Sequence, residues 1–369
     1  MTRFQQRAIG ILIGLALAGA ALGLLSRPGR GTPRGTVLSE CDGALKVLVI
    51  QYVQGADFAI PVYRDFLRQI GPGILVHVAC PDRSAYDEFV SRLGPVECRL
   101  SPILVGHEMT AWSRDRWLAL KSSSTDGPIT LLASCEEAAA DVWPARAGDQ
   151  RIAADLAAAL GPAVRFERQV LYFDGGDVVA DGRTAFITPG LIRRNLQVTV
   201  PSKQDLTRVL EATLGRKIVL MEDAPDHHAG MYMMVVGDGT VLVGDPSLAR
   251  DFALPELPGG ADFSAETQRR FDSVAGKARE AGYRVMRIPV APSTDGRTFL
   301  TYVNAIIDNP AGRRIVYLPR YDGAEALNAA GAKVWCDLGY EVRPVNCTSA
   351  YIHSGSLHCL VNVLDREIP

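Results

Sequence analysis

Three stretches of this chain repeat one order of elements, a hairpin, a helix and a strand, and such repetition restricts the fold more than any single motif does. In the first, the apolar pattern predicts strands at 169–173, 177–180 and 185–188, then a helix over SKQDLTRVLEATLG and a strand over KIVLM. In the second, the hairpin MYMMVVGDGTVLVGD turns at Gly237-Asp238-Gly239 and is followed by the helix SAETQRRFDSVAGKAREAG and the strand RVMRIPV, ending at Val290. The third runs YVNAIID, a turn at Asn309 to Arg313, the strand RIVYLPR, the helix AEALNAAGAKVWCDLG and the strand EVRPVN. Each unit takes roughly fifty to sixty residues, and the length from 46 onward has room for about five. Nearer the N-terminus, KVLVIQYV at 46–53 and ILVHVAC at 74–80 flank a helical spacing from Phe58 to Ile70. The expectation is an α/β chain arranged as a closed or radial array. Equivalent ends of repeated units meet at one place. The irregular segments after the unit-ending strands carry His227-His228, Ser293-Thr294-Asp295, and His353, His358 and Cys359, and these are expected to build one site.

A chain that is 47% hydrophobic and 22% charged can bury a large core, which excludes disorder as its main state. With 39 Lys and Arg against 41 Asp and Glu, the formal charge of −2 supplies no basic field for a phosphate backbone, so nucleic acid is not an expected partner. Residues Ala8 to Leu25 carry no charge, with Arg3 and Arg7 before them and Arg27, Arg30 and Arg34 after. This is the pattern of an export signal. The run approaches the ~20 residues needed to span a bilayer, so a cleaved peptide and a membrane anchor both stay open. The division read from this is 1–30 signal peptide or signal anchor, 31–45 linker and 46–369 working domain. The expected place is outside the cytoplasm, membrane-anchored or periplasmic or extracellular, with membrane contact only through the uncleaved N-terminal segment.

Seven cysteines with no C-x-x-C pair give no zinc ribbon or redox motif, and Cys41, Cys80, Cys98, Cys135, Cys336 and Cys347 could pair in an oxidising compartment. The seventh, Cys359, follows Ser354-Gly355-Ser356-Leu357-His358. A thiol nucleophile needs a base or cation beside it, and His227, His228, His353 and His358 are the candidates; a buried structural cysteine is the other reading. Trp112-Ser113-Arg114-Asp115-Arg116-Trp117 packs charge and indole together. Asp115 could grip a cationic ligand under a Trp face, or form a structural ion pair with Arg114. Asp174-Gly175-Gly176-Asp177 fits a hairpin turn or a close backbone approach. His227-His228 lacks an HExxH context, so no metal site and no cofactor is expected.

Together these residues resemble the guanidine-modifying superfamily of agmatine deiminases, protein-arginine deiminases, arginine deiminases and amidinotransferases. Trp112-x-Arg114-Asp115 resembles its W-x-R/Q-D motif, Gly175-Gly176-Asp177 its G-G-D/N segment, and Thr301-Tyr302-x-Asn304 with Pro319 its S-Y-x-N…P pattern. Gly355-x-x-His358-Cys359 with Asn362-Val363 resembles the terminal G-x-x-H-C of the agmatine and protein-arginine deiminases. The resemblance covers about residues 46–369. It implies a five-bladed α/β-propeller of repeated ββαβ units, with the N-terminal apolar helix before it. It also implies cysteine-dependent deimination of a guanidino group, on an agmatine-like molecule or an arginine-bearing protein. Cys359 would attack the guanidinium carbon, His228 would protonate the departing amine, and water would hydrolyse the thiouronium intermediate. Asp115 would hold the guanidinium, with Trp112, Arg114, Gly176, Asp177, His227 and His358 as further substrate-binding candidates. One motif departs from the pattern. Aligning His228-Ala229-Gly230-Met231-Tyr232 with H-x-D-M-Y/F places Gly230 at the aspartate, so a neighbouring Asp226, Asp223 or Asp295 would have to replace it. The alternatives are an impaired protein that binds guanidinium or arginine ligands, and an amidinotransferase.

Overall fold

The computed structural model describes residues 35–367 apart from 125–126, 139–140 and 311; the expected signal segment lies outside the described residues. Among the described residues no helix is long and apolar enough to cross a membrane. The chain is mixed α/β, and its described residues form five separate sheets. All five follow one rule: an antiparallel pair, then a helical crossover, then a strand added in parallel. Strands Val178–Ala180 and Thr184–Ile187 pair antiparallel and Lys217–Leu220 adds in parallel. The same order relates Met233–Val235, Thr240–Asp245 and Arg284–Pro292. It also relates Ile306–Asp308, Ile315–Arg320 and Glu341–Asn346.

The remaining two sheets complete the series. Trp117–Ser122, Ile129–Ala133 and Val164–Arg168 make one. In the other, Val361–Glu367 pairs antiparallel with Ala44–Gln51, to which Leu75–Cys80 and then Arg99–Leu104 add in parallel. That sheet therefore draws its strands from both ends of the described chain.

Local sequence explains each unit. Ser202 and Ser264 cap the helices Lys203–Leu214 and Ala265–Glu280 by accepting backbone N–H groups of Asp205 and Thr267. The buried stripe Phe271, Val274, Ala275 and Ala278 seats the second of these on its sheet. The turn between Met233–Val235 and Thr240–Asp245 takes positive φ at Gly237, Asp238 and Gly239, which glycine adopts without steric cost. Helix Glu325–Asp337 presses Gly331 onto the Tyr302 ring, where a Cβ would lie 2.4 Å from ring carbon, and Trp335 Nε1 donates to Tyr302 O at 2.8 Å.

Two expectations are corrected. Residues 169–173 are not a strand; the strand is Val164–Arg168. Side chains take the hydrogen bonds that a ladder would have made: Tyr172 N–H donates to Asn195 Oδ1 and Phe173 N–H to Ser134 Oγ, both at 2.9 Å. The second correction concerns the linker, which is not a free tether from residue 35 on. Gly35–Val37 pairs antiparallel with Trp117–Ser122, and Ser39, Glu40 and Cys41 are buried. All seven cysteines are free, and burial pushes the Cys41, Cys80 and Cys347 thiols up to about 12, as befits small apolar side chains in the core.

Glu40 shows why this segment docks. Its carboxylate pairs with Arg114 and accepts from His358 Nε2 at 3.0 Å, while Arg366 Nη2 donates to its carbonyl at 2.9 Å. Burial alone would raise its pKa, but the charge of Arg114 and the contact with His358 hold it at about 2. The folded value lies below the ordinary 4.5, so this stabilisation is complete above that pH and disappears as pH falls toward 2. Glu40→Gln should therefore cost about 3 kcal/mol of stability at neutral pH. Denaturant titrations of both proteins across pH should show that difference shrinking below pH 4.5. A pH-independent difference would contradict the assignment.

Candidate active site

Four loops, each following or joining repeated units, bring their side chains to one cavity of about 460 Å³. Its wall includes Thr110, Trp112, Asp115, Arg116, His228 and Cys359, with Glu137, Trp143, Arg146, Arg194, His353 and Ser354 around them. Two of these, Arg116 and Ser354, hold positive φ, at 68° and 66°, although neither is glycine. Strained backbone of this kind gathers at sites where surrounding structure over-determines the geometry.

Cys359 sits in the short helical turn Leu357–Leu360, just before the strand Val361–Glu367, and is 5% exposed. Asn304 fixes that turn. Its Oδ1 accepts His358 N–H at 2.9 Å, its Nδ2 donates to Gly230 O at 3.1 Å, and the same nitrogen lies 3.4 Å from Cys359 Sγ. Behind the turn His358 and Arg114 meet on Glu40. Arg114 also donates to Asn362 Oδ1 and Val178 O, both at 3.3 Å.

His228 is placed by glycine. A Cβ on Gly176 would lie 2.4 Å from His228 Nδ1, so the imidazole packs directly on bare backbone. Gly175 is equally confined, its Cβ position lying 2.2 Å from Arg114 O. The D-G-G-D segment is a 3-10 turn, Gly175–Asp177, whose Asp174 accepts from backbone and whose Asp177 Oδ2 accepts Asp174 N–H at 2.7 Å. The Asp174 carboxylate lies 3.8 Å from His228 Nε2. Burial opposes the imidazolium, yet Asp174, Cys359 and the charges of Asp115 and Asp177 outweigh it and hold the His228 pKa well above its ordinary value. The surroundings of His228 thus favour its imidazolium form.

The carboxylates are tightly compensated. Arg146 bridges them, one nitrogen on Asp115 and the other on Asp174 at 2.7 Å. Arg194 binds Asp174 at 2.9 Å and also pairs with Asp177; Arg116 pairs with Glu137 and lies 3.4 Å from Asp174. Burial would raise the Asp174 pKa, but His228, Arg146 and Arg194 hold it well below the usual carboxylate range. Asp115 is raised, first by burial and then by the Asp174 charge, against the pull of Arg146 and His228.

Of the residues singled out from sequence, Cys359, His228, His353, Asp115 and Trp112 line the cavity. Gly176, Arg114, His358, Asp177 and His227 do not. Gly176 touches it only through His228, and Arg114 and His358 form the buried network behind it. Asp177 is held by Arg194 and accepts from Thr188 Oγ1 at 2.5 Å, facing an adjoining cavity with His227. His227 accepts His228 N–H on Nδ1 at 2.8 Å and contacts Arg297 O at 3.0 Å through Nε2; burial lowers its pKa to about 3, so it is neutral and supports its neighbour. The replacement for the missing aspartate is also corrected. Asp226 and Asp295 are engaged with Arg193 and with Ser293, and Asp223 is exposed, whereas Asp174 stands opposite Asp115 on a single guanidinium. Sequence reasoning passed over Asp174, Arg146, Arg194 and Glu40. Only Asp174 left a signal, its place beside two glycines.

Gly176→Ala is expected to push the His228 ring away from Asp174 and bring its pKa down toward the ordinary value. A titration of the ring protons by NMR reads this directly, and an unchanged midpoint would refute the packing argument.

Residues 53–363 match the profile of the Porphyromonas-type peptidyl-arginine deiminases. No curated relative matches the chain with significance. Among solved structures, the fold resembles a cysteine-to-serine variant of the C. jejuni agmatine deiminase with substrate bound, at 14% identity and a TM-score of 0.66, over 90% of this chain and 96% of that one. It also resembles the agmatine deiminase of Enterococcus faecalis, at 14% identity and a TM-score of 0.67, over 91% and 98%. These likenesses establish the fold. With most of its length matched by that profile, the chain belongs to the Porphyromonas-type peptidyl-arginine deiminase family, enzymes that act on guanidino C–N bonds.

Proposed function

We propose that this protein deiminates a guanidinium carried by an arginine side chain, with Cys359 as nucleophile. The observation that carries the reading is the convergence of Cys359, His228 and Asp115 on one cavity. A guanidinium is resonance-stabilised and a poor electrophile, so it must be held planar and in line with the attacking sulfur. Asp115 and Asp174 supply the two acceptors. Cys359 Sγ, reacting as the thiolate with its proton already lost to solvent, forms a bond to the guanidinium carbon, and the C–N bond breaks as His228 gives its proton to the leaving ammonia. Water then adds to the thiouronium carbon, giving a proton to the now neutral His228, and the C–S bond breaks to release the sulfur and leave a ureido group. Asn304 Nδ2, 3.4 Å from the sulfur, orients it during both steps.

Charge favours peptidyl-arginine over agmatine. The wall carboxylates Asp115 and Glu137 are already held by Arg146 and Arg116, and Asp174 and Asp177 behind them by Arg194. Agmatine brings a second cation at its far end, for which these engaged carboxylates offer no free partner, whereas the peptide flanks of an arginine residue offer carbonyl acceptors. Arg116 Nη1 is buried without a hydrogen-bond partner and is suited to such an acceptor. The five like sheets, one of them joining strands from both ends of the described chain, support a five-bladed propeller around this site. The apolar run Ala8 to Leu25 supports action outside the cytoplasm. The second reading, a guanidinium-binding protein without turnover, is favoured by Gly230 at the aspartate position and by the prior engagement of both carboxylates with Arg146.

The full-length protein and Cys359→Ala should be assayed for ammonia and ureido product against an arginine peptide, free arginine and agmatine. The expected result is turnover of the peptide by the wild type alone. Absence of product from a folded wild type across the panel would overturn the hydrolase reading in favour of binding. His228→Gln should lower kcat by about 10²-fold or more. In the wild type the rate should fall as pH rises through the elevated His228 pKa, because the proton donor is lost there; His228→Gln should lack that alkaline limb.

A further inference from the structure

The contact that most limits access to this site comes from the chain itself. Arg146 places one terminal nitrogen on Asp115 and the other on Asp174, 2.7 Å away, so a planar guanidinium already joins Asp115, on the cavity wall with Cys359 and His228, to Asp174, which faces the adjoining cavity. The bidentate grip that an incoming guanidinium needs is thus occupied by one of the same chemistry.

The backbone that carries Arg146 is fixed. Arg146 belongs to the short helix Pro144–Asp149, and a Cβ on Gly148 would lie 1.7 Å from Glu108 O, so that turn has no room to shift inward. Asp149 accepts Thr110 N–H at 2.9 Å, Thr110 Oγ1 at 2.8 Å and Gln51 Nε2 at 3.2 Å. The side chain is the movable part. It is unbranched, its partners are all at its far end, and Trp143, on the same wall, is 61% exposed.

We infer that Arg146 is an internal competitor for the guanidinium site and thereby a specificity-determining residue: an external guanidinium binds only by displacing the Arg146 head group from Asp115 and Asp174. This rests on the deiminase reading for the identity of the incoming group, but not for the competition itself. The apparent affinity for any external guanidinium is lowered by the fraction of molecules in which Arg146 holds the carboxylates. A bare guanidinium ion can make the same contacts but lacks the effective concentration that the tether gives Arg146. A substrate gains over it through contacts elsewhere on the wall, such as that offered by Arg116, and this selects ligands that carry more than the guanidine.

The test uses full-length protein in a Cys359→Ser background, so that binding is read without turnover. Guanidinium chloride is titrated at constant ionic strength, with potassium chloride as the control, following the melting temperature and the heat of binding. Arg146→Gln should bind guanidinium roughly tenfold more tightly than the parent and recover more of its melting temperature on binding. Arg146→Lys, which keeps the charge but cannot bridge both carboxylates, should fall between them and serves if the glutamine variant folds poorly. With Cys359 present, Arg146→Gln should lower KM for an arginine peptide with little change in kcat. Equal or weaker guanidinium binding in both folded variants would overturn the inference and make Arg146 a structural ion-pair partner. Tighter binding with no turnover in any form would uphold the competition and refute the deiminase reading, so the two failures are distinguishable.

Discussion

A buried carboxylate that is never allowed to be alone organises this molecule. Removing Glu40 from water is unfavourable, and the fold offsets it with Arg114 and His358 on the side chain and Arg366 on the carbonyl. Those four residues come from the entry segment, the W-x-R-D loop, the turn bearing the thiol and the last strand. One charge cluster therefore sets four segments against each other. Because His358 and Cys359 are neighbours in one turn, the cluster behind the cavity also fixes where the sulfur lies in front.

The cavity face repeats the same physics with the signs spread out. Arg146 joins Asp115 to Asp174, Arg194 joins Asp174 to Asp177, and His228 lies beside Asp174, so carboxylates and cations alternate through the cluster. This compensation also explains how Gly230 is tolerated. A Cβ there would lie 3.1 Å from His358 Nδ1 and 3.3 Å from Asn304 Nδ2, so the position is already close to the groups that hold the thiol turn. The carboxylate that shares Arg146 with Asp115 belongs to a different loop, that of Asp174.

What could be read from the sequence follows from the range of each interaction. Hairpins, caps and amphipathic helices are local, and the strand Glu341–Asn346 and the helices after Ser202 and Ser264 fall where periodicity predicts them. Cys359, His228, Asp115 and Trp112 were legible because each lies in a short dense motif, and the structure places all four on one wall. Arg146 stands in Pro-Ala-Arg-Ala-Gly with nothing to mark it, and Glu40 lies within the expected linker 31–45. Both act on partners that no local pattern reveals, Asp115 at 31 residues' separation and Arg114 at 74. The misplaced strand at 169–173 has the same origin, since its backbone is satisfied by Ser134 and Asn195.

The pairing of Val361–Glu367 with Ala44–Gln51 has a consequence for the order of events in the cell. Strand partners separated by most of the chain cannot meet until the later one has been synthesised, and loop closure over such a span is slow. The other four sheets draw on nearer segments and can form earlier. The thiol lies two residues before the start of that strand, so it enters its pocket only once the strand has been made and paired. A chain without Val361–Glu367 leaves Ala44–Gln51 unpaired on that side, so the turn that carries the thiol gains its anchor only when both strands are present.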